Sequence, residues 1–317
     1  MKTKRIAVVM AAAMLLAVSP VEAGGRQIFS SVCVNAADNS SVSEKNEKMW
    51  LLKTYYRPNW EKGHDLGYNI TYDKNGRISK ITFVTYDSHN EEYDKKREYS
   101  VYKEIKIIYE KNNILNYIVE GEEYKNKYSV KYNDMGLITA VNGIRAYEYD
   151  EDGNAVEKKL KNSIANKYDK NGKLIYSKET SSYYITQNWY SYDESGRLTH
   201  KTWKQVNRET ARENIGSTNY KYDENGNIVF DENIGYYKNT YTKNGKLFSR
   251  TLENDYCKAI DKFYSNGKIK SSKTYILSEP DFSIAEEKWI YVTIGADVSK
   301  ETDALNQNLI ELLCENW

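Results

Sequence analysis

Hydrophobic and polar residues alternate along most of the chain, and each alternating stretch leads into a short polar turn. In residues 68–72, Tyr68, Ile70 and Tyr72 are separated by Asn and Thr. A period of two built from aromatic and β-branched residues predicts a strand with one buried face. The same alternation precedes the turns that follow Tyr132 and Tyr222. The pattern therefore predicts a chain made largely of strands.

The turns share one repeated unit, in which Tyr-Asp is followed three residues later by Gly and then by a polar and an aliphatic residue. Its best copies are residues 72–78, 168–174, 192–198 and 222–228, and looser copies begin at Tyr109, Tyr132, Tyr149, Tyr241 and Phe263. Asp-x-x-Gly predicts a type I turn and a glycine with positive φ, which together close a bulged hairpin. Recurrence of one unit along the chain indicates a repeat architecture.

The turn also predicts which residues face each other. Tyr72 should lie opposite Ile78, and Asp73 should pair with Arg77 across the turn. Such cross-strand pairs contribute about 0.2–1 kcal/mol each. A lone hairpin is marginal in water, so the hairpins should stack side by side. We therefore predict an all-β protein in which an array of antiparallel β-hairpin repeats forms a twisted or spiralling single-layer sheet.

The ends of the chain differ from the array, which we expect within residues 49–298. Residues 49–66 should cap the first hairpin. Residues 299–317 contain leucines at helical spacing, with Ser299 or Thr302 as the helix N-cap, and predict a short C-terminal helix that covers an open end of the sheet. The leucines are Leu305, Leu309, Leu312 and Leu313.

The first residues predict export. Residues 1–23 have a positive start, an apolar stretch and a small-x-small end, as in a secretory signal peptide. The alternative is an N-terminal membrane anchor, but the apolar stretch is shorter than the roughly 20 residues that span a bilayer. Residues 24–48 are rich in Ser, Asn and Ala and predict a flexible linker. We expect a secreted protein, extracellular or at the cell surface, with no membrane span in the mature chain.

Composition narrows the partners of the chain. Its 317 residues carry a net charge of +1 and include 30 tyrosines. The balanced charge gives no sign of nucleic-acid binding. The odd number of cysteines leaves two alternatives open, a bridge between Cys257 and Cys314 or isolated thiols.

No residue pattern indicates a catalytic group, a metal site or a cofactor. The three histidines, His64, His89 and His200, lack metal-ligand spacing, and no Gly-x-Ser-x-Gly elbow or phosphate loop occurs. The repeated Asp residues invite a glycosidase hypothesis, but their role in the turns explains them better. Residues 150–154 resemble part of a calcium loop without its downstream Glu, so a turn is preferred.

One hairpin carries candidate ligand-binding residues. Counted from the Asp193–Arg197 pair, the register places Trp189 and Trp203 on one face, with Tyr190 beside them. Two tryptophans on the nominally polar face predict a stacking platform for a sugar or a protein partner. The alternative is that they pack against a loop predicted at 204–217.

The Tyr-Asp-x-x-Gly-[Arg/Lys]-[Leu/Ile] unit resembles the YD repeats of the RHS and teneurin families across roughly residues 67–270. The best matches are residues 76–79 and 196–199. The resemblance implies an exported or surface protein whose hairpins spiral into large sheets and, in some members, bind carbohydrate. The chain lacks the Pro- and Gly-rich end of toxin-enclosing members. Residues 263–269 are also similar to MORN-type units, which form single-layer sheets.

These observations predict a secreted, non-catalytic repeat protein with a binding or scaffold role at the cell surface. The expected partner is a glycan or a surface protein. The alternative is an exported enzyme, such as a hydrolase, with its site in the irregular insertions 86–98 or 204–217.

Overall fold

The computed structural model describes residues 50–57, 64–87, 99–121, 124–149, 155–159, 161–254, 257–276, 287–293 and 298–314. The predicted signal peptide and linker lie outside these ranges, as do residues 88–98 of the charged insertion and the turn at 150–154.

The described residues form antiparallel strands and one C-terminal helix, which confirms the all-β prediction. The first strands are β1 (Trp50–Arg57), β2 (His64–Tyr72), β3 (Ile78–Asp87), β4 (Tyr99–Tyr109), β5 (Ile114–Gly121), β6 (Tyr124–Tyr132), β7 (Ile138–Tyr149), β8 (Ala155–Lys158) and β9 (Ser163–Tyr168). The remaining strands are β10 (Leu174–Thr180), β11 (Tyr184–Tyr192), β12 (Leu198–Asn207), β13 (Glu213–Tyr222), β14 (Ile228–Asp231), β15 (Gly235–Tyr241), β16 (Leu247–Glu253), β17 (Cys257–Phe263), β18 (Ile269–Ile276) and β19 (Glu287–Thr293). The helix is α1 (Lys300–Cys314).

The strands close into a barrel, which corrects the prediction of a spiralling sheet. β1 pairs with β2 on one side and with β19 on the other. β7 is long enough to pair with β9 through its first residues and with β8 through its last. With β8 outside the ring, 18 strands form the closed barrel. The residues expected to cap the first hairpin instead contain β1, the strand that joins the two ends of the array.

The repeated turn has the predicted geometry. In the first copy, Gly76 N donates to Asp73 O at 3.0 Å, and Gly76 has a φ of 74°. Asp73 Oδ1 accepts from the backbone N atoms of Asn75 and Arg77, and its Oδ2 lies 2.7 Å from the Arg77 guanidinium. Although partial burial raises the pKa of Asp73, these contacts hold it below its usual value. The predicted Tyr72–Ile78 and Asp73–Arg77 pairs are therefore confirmed.

A bulge follows the turn in each of the four best copies and leaves one backbone carbonyl for the next hairpin. Tyr168 faces Leu174, yet the ladder from β10 to β11 begins only at Tyr176. The carbonyl of Leu174 is therefore beyond the ladder, and the Tyr192 hydroxyl donates to it at 2.8 Å. The same contact recurs along the barrel, from Tyr72 to Leu52, Tyr109 to Ile78, Tyr168 to Ile138 and Tyr222 to Leu198.

Helix α1 lies inside the barrel. Asn306 is buried, donates to Gly76 O at 2.7 Å and accepts from Ile78 N at 3.0 Å. The first turns of the helix also lie against Gly136 in the β6–β7 turn and near Lys268 in the β17–β18 turn. β18 and β6 are seven positions apart in the ring, about 34 Å along a flat sheet. A helix about 10–12 Å wide reaches both only if the sheet curves round it.

The helix fills one side of the lumen with apolar side chains. Leu305, Leu309 and Leu313 pack with buried residues of β1 to β7, among them Phe83 and Leu115. Ser299 Oγ accepts from Thr302 N at 3.2 Å, so Ser299 is the N-cap. The helix therefore forms a core inside a closed barrel, and the prediction that it covers an open sheet end is wrong. Cys314 is buried in this core.

The tyrosine contact between hairpins should be measurable. Replacing Tyr192 with Phe removes the hydroxyl and leaves the Leu174 carbonyl without its donor. We expect a loss of about 0.5–1.5 kcal/mol in unfolding free energy, measured by urea denaturation. Tyr183→Phe is the control, because Tyr183 is 62% exposed, and it should leave the midpoint unchanged. Equal midpoints for the two variants would show that the contact contributes nothing.

Docking of the helix can be tested with two turn glycines. Gly136 and Gly226 have φ values of 75° and 79°, so alanine should strain both, by about 1–2 kcal/mol. A Cβ at Gly136 would lie 2.0 Å from Glu301 O in the helix, whereas nothing lies within 4 Å of one at Gly226. Gly136→Ala should therefore lower the unfolding free energy more than Gly226→Ala. Equal losses would mean that the helix does not dock on this turn.

Candidate functional site

Trp189 and Trp203 lie on opposite faces of the barrel wall, so the predicted shared platform is wrong. Trp189 pairs with Thr202, whereas Trp203 pairs with Asn188. Directly paired residues share a face, and neighbours along a strand alternate. The register shifts between Ser191 and Tyr192, which places one extra residue on β12 after the turn. The prediction counted residues across the turn without this shift, and a shift of one residue exchanges the faces.

The face that carries Tyr190 and Trp203 is luminal. A row of directly paired residues connects it to the core around α1, through Val141 on β7, Ile164 on β9, Glu179 on β10 and Thr186 on β11. Tyr190 lies four residues beyond Thr186 and so points to the same side. Trp203, through its partner Asn188, points there as well. Trp189 is therefore on the outer face.

The outer face presents Trp189 together with Tyr176. The two residues are direct cross-strand partners, with ring centroids 5.7 Å apart and planes tilted by 57°. Trp189 is 40% exposed. Gln187 Nε2 donates to the Tyr176 hydroxyl at 2.9 Å, and the Lys167 ammonium lies 5.5 Å from the Tyr176 ring. This outer aromatic pair is thus an exposed, angled surface with polar groups at its edge.

The luminal face of the same hairpin holds Trp203 against the neighbouring strand. Trp203 is paired with Gly216 on β13. A Cβ at Gly216 would lie 2.5–2.7 Å from three atoms of the indole, so only glycine leaves space for the ring. Tyr190 packs with the buried residues Leu198 and Tyr220. These contacts hold the indole on the barrel wall.

Lys201 lies between these aromatic residues on the luminal face. It pairs directly with Tyr190 on β11 and Thr218 on β13, and only 4% of the residue is exposed. Its Nζ is 5.9 Å from the centroid of the Tyr190 ring. Burial lowers the pKa of Lys201 to about 8, although the nearby Asp231 partly opposes this shift.

Asp231 is held by the backbone and not by Lys201. Its Oδ1 accepts from Asn233 N at 2.9 Å, and the residue is 1% exposed. Burial raises the pKa of Asp231, while hydrogen bonds from the Asn233 and Ile234 amides and the charge of Lys201 lower it in part. No hydrogen bond or ion pair of Lys201 exists within the described ranges. We call Lys201, Asp231, Tyr190, Tyr220 and Trp203 the luminal lysine site.

Arg250 is a second buried cation in the lumen, and unlike Lys201 it has hydrogen-bond partners. Arg250 donates to Asp261 Oδ2 from two nitrogens, at 2.7 and 3.1 Å. Ser272 Oγ donates to the other carboxylate oxygen at 2.7 Å. The rings of Tyr237 and Phe263 lie 5.3 and 5.6 Å from the guanidinium. This group is a satisfied buried ion pair with a structural role.

The other predicted sites have less support. Residues 204–217 do not form an irregular insertion, because they continue β12 and β13 as a hairpin with a Lys204–Glu213 ion pair of 2.7 Å. Most of the 86–98 insertion lies outside the described residues. His200 bonds Asn219 and Thr202, and no cluster of metal-ligating side chains occurs in the part of the chain that the structure describes. Within the same part, no helix is both long and apolar enough to cross a membrane.

Comparisons with known proteins add little to this picture. No protein-family model matches the chain, and no curated protein matches it. Among solved structures, a porin-like protein from Bacteroides uniformis is 8% identical with a TM-score of 0.28, covering 75% of this chain and 96% of its own. A porin-like protein from Bacteroides vulgatus is 10% identical with a TM-score of 0.18, covering 77% and 99%. A protein of unknown function from Desulfotomaculum acetoxidans is 8% identical with a TM-score of 0.14, covering 78% and 97%. Scores below 0.5 carry no argument about fold or function.

Sequence reasoning missed Lys201 for a definite reason. It is one lysine among the 46 basic residues of the chain, and its strand alternates like the others. Only the extra residue of the bulge places it beside Tyr190 on the luminal face. The predicted bulge could have revealed this position, if its extra residue had been counted in the register of β12.

The cost of burying Lys201 predicts a pH-dependent stability. The folded pKa of about 8 lies below the ordinary value of 10.5, so the unfolded chain binds more protons between these pH values. Wild-type stability should therefore rise by about 3 kcal/mol from pH 8 to 10.5 relative to Lys201→Met. Urea unfolding across this range measures the difference, with the outer-face variant Lys204→Met as control. A constant difference between wild type and Lys201→Met would contradict the prediction.

Proposed function

We propose that this is an exported, non-catalytic repeat protein that binds glycans through the outer aromatic pair, Tyr176 and Trp189. The observation that carries the proposal is an exposed indole fixed beside a tyrosine on a regular strand pair. Aromatic ring faces suit the apolar faces of sugar rings, and the polar edge provides donors and acceptors for hydroxyl groups. Both residues lie on β-strands, so the surface is preformed and binding requires little ordering.

Charged side chains elsewhere on the outer face support a sugar in water as the partner of the outer aromatic pair. On another part of the outer face, Lys80 pairs with Glu104 at 2.9 Å, and Lys106 and Lys125 both lie 3.4 Å from Glu120. A surface of this charge contacts water, because charged side chains facing lipid cost about 2–4 kcal/mol each near the bilayer centre. Ligands in solution therefore have access to the outer face.

The proposed site is open and shallow, so its affinity should be weak. Two side chains supply most of the contact area, and stacking gains on an open surface are modest. We expect dissociation constants on the order of millimolar to micromolar for a single sugar unit. Repeated units on a polymer or at a cell surface would increase the apparent affinity.

The test is a glycan array on the mature protein, followed by titration of the strongest ligand. Trp189→Ala should reduce binding at least tenfold, because it removes the exposed ring. Tyr236→Ala is the matched control, since Tyr236 is an outer-face aromatic residue that is 69% exposed on another strand pair. It should bind like wild type, and both variants should keep the wild-type far-ultraviolet spectrum. An array without any ligand, or equal binding by Trp189→Ala and wild type, would refute the proposal.

A further inference from the structure

The ammonium group of Lys201 is buried in the luminal lysine site without a hydrogen bond. Only 4% of the residue is exposed, and no side chain of the described ranges bonds its Nζ. Burial of an unbonded charge is costly, so buried ammonium groups usually have a carboxylate or carbonyl partner. Some polar side-chain atoms of the described ranges are fully buried and lack a hydrogen bond, and Lys201 Nζ is not one of these fully buried atoms. Its tip therefore keeps some contact with solvent.

Asp231 lies near Lys201 but forms no ion pair with it. The carboxylate of Asp231 is already held by the Asn233 amide at 2.9 Å and stays beyond ion-pair distance of Lys201. It does place one negative charge near the site. A ligand with a single negative charge can bind the ammonium, whereas a second charge would be repelled by Asp231.

We propose that Lys201 binds the carboxylate of a ring-bearing monocarboxylic acid whose ring stacks on Trp203 in the barrel lumen. The proposal is independent of the outer aromatic pair, because Trp189 lies on the other face of the same strands.

The distance between the two groups suits such a ligand. Lys201 and Trp203 are two residues apart on one face of β12, which separates them by about 7 Å. A carboxylate attached directly to a ring spans this gap, because a charge-assisted hydrogen bond adds about 2.8 Å. Gly216 supports one face of the indole, so the ring has a fixed position from which to stack.

The helix does not cover the side of the barrel that carries Lys201. The helix packs its leucines against β1 to β7, and the cluster that contains Tyr190 is separate from that core. Barrels of 16–18 strands enclose more space than their own side chains fill. The lumen beside β11 to β14 therefore lies away from the helix and its apolar core.

The other titratable groups around the site favour one negative charge on the ligand. Tyr190 on β11 and Tyr220 on β13 have pKa values raised mainly by burial. Glu179 on β10, beside Tyr190, also has a pKa raised by burial. Glu232, next in the chain to Asp231, adds acidic charge. With the tyrosines neutral at pH 7, Lys201 is the cation of the site, and its protonated form is the one that binds.

Calorimetric titration of the mature protein with benzoate tests the proposal. We expect a dissociation constant on the order of millimolar at pH 7. Benzyl alcohol, which has the ring without the charge, should bind at least tenfold more weakly. Glucuronate and glucose form a second pair that distinguishes a saturated ring from an aromatic one, and binding of either acid supports the site. Affinity should fall about tenfold for each pH unit above the point where Lys201 loses its proton.

Variants assign binding to the site. Lys201→Met should abolish binding of the acid, whereas Lys204→Met, on the outer face of the same strand, and Trp189→Ala should bind like wild type. Gly216→Ala displaces the indole but keeps the amine, and it should weaken binding at least tenfold. If Lys201→Met does not fold, Gly216→Ala and the pH profile decide. Absence of binding by both acids, or equal binding by wild type and Lys201→Met, overturns the proposal.

Discussion

The bulged glycine turn is the constraint on which the rest of the barrel depends. The aspartate holds the turn amides, the glycine takes the positive φ, and the bulge that follows shifts the register of the second strand by one residue. That shift leaves a carbonyl beyond the ladder, which the tyrosine of the next hairpin binds. The basic residue after the glycine also lies over that tyrosine, as Arg77 lies 4.2 Å from the Tyr109 ring centroid. One local motif therefore forms its own hairpin and joins it to the next.

Ring closure divides the lumen into two chemically different parts. The side formed by β1 to β7 is apolar and packs against α1, with the Asn306 amide fixed to the backbone of one turn. The side formed by β10 to β18 carries tyrosines and charged groups. There Arg250 is hydrogen-bonded to Asp261, whereas Lys201 has only the nearby charge of Asp231.

The two tryptophans of the Tyr192 hairpin lie in different environments, one on the outer face and one in the lumen. Trp189 is exposed beside Tyr176 on the outer face, where a large sugar polymer can reach it. Trp203 lies on Gly216 in the lumen, on the same face as Lys201. The outer aromatic pair and the luminal lysine site therefore differ in exposure and in charge, and a single residue step along the strand separates them.

The local structure could be predicted from the sequence, because it depends on contacts within a few residues. Alternation, the Asp-x-x-Gly turn, the Tyr72–Ile78 pair and the leucine spacing of α1 are all of this kind, and the structure has each of them. Closure of the barrel and the position of α1 in the lumen depend on long-range contacts instead. β1 pairs with β19 at the other end of the strand array, and α1 lies against Gly136 in the β6–β7 turn. The tertiary structure alone decided these features, since no short stretch of sequence contains both partners of any such contact.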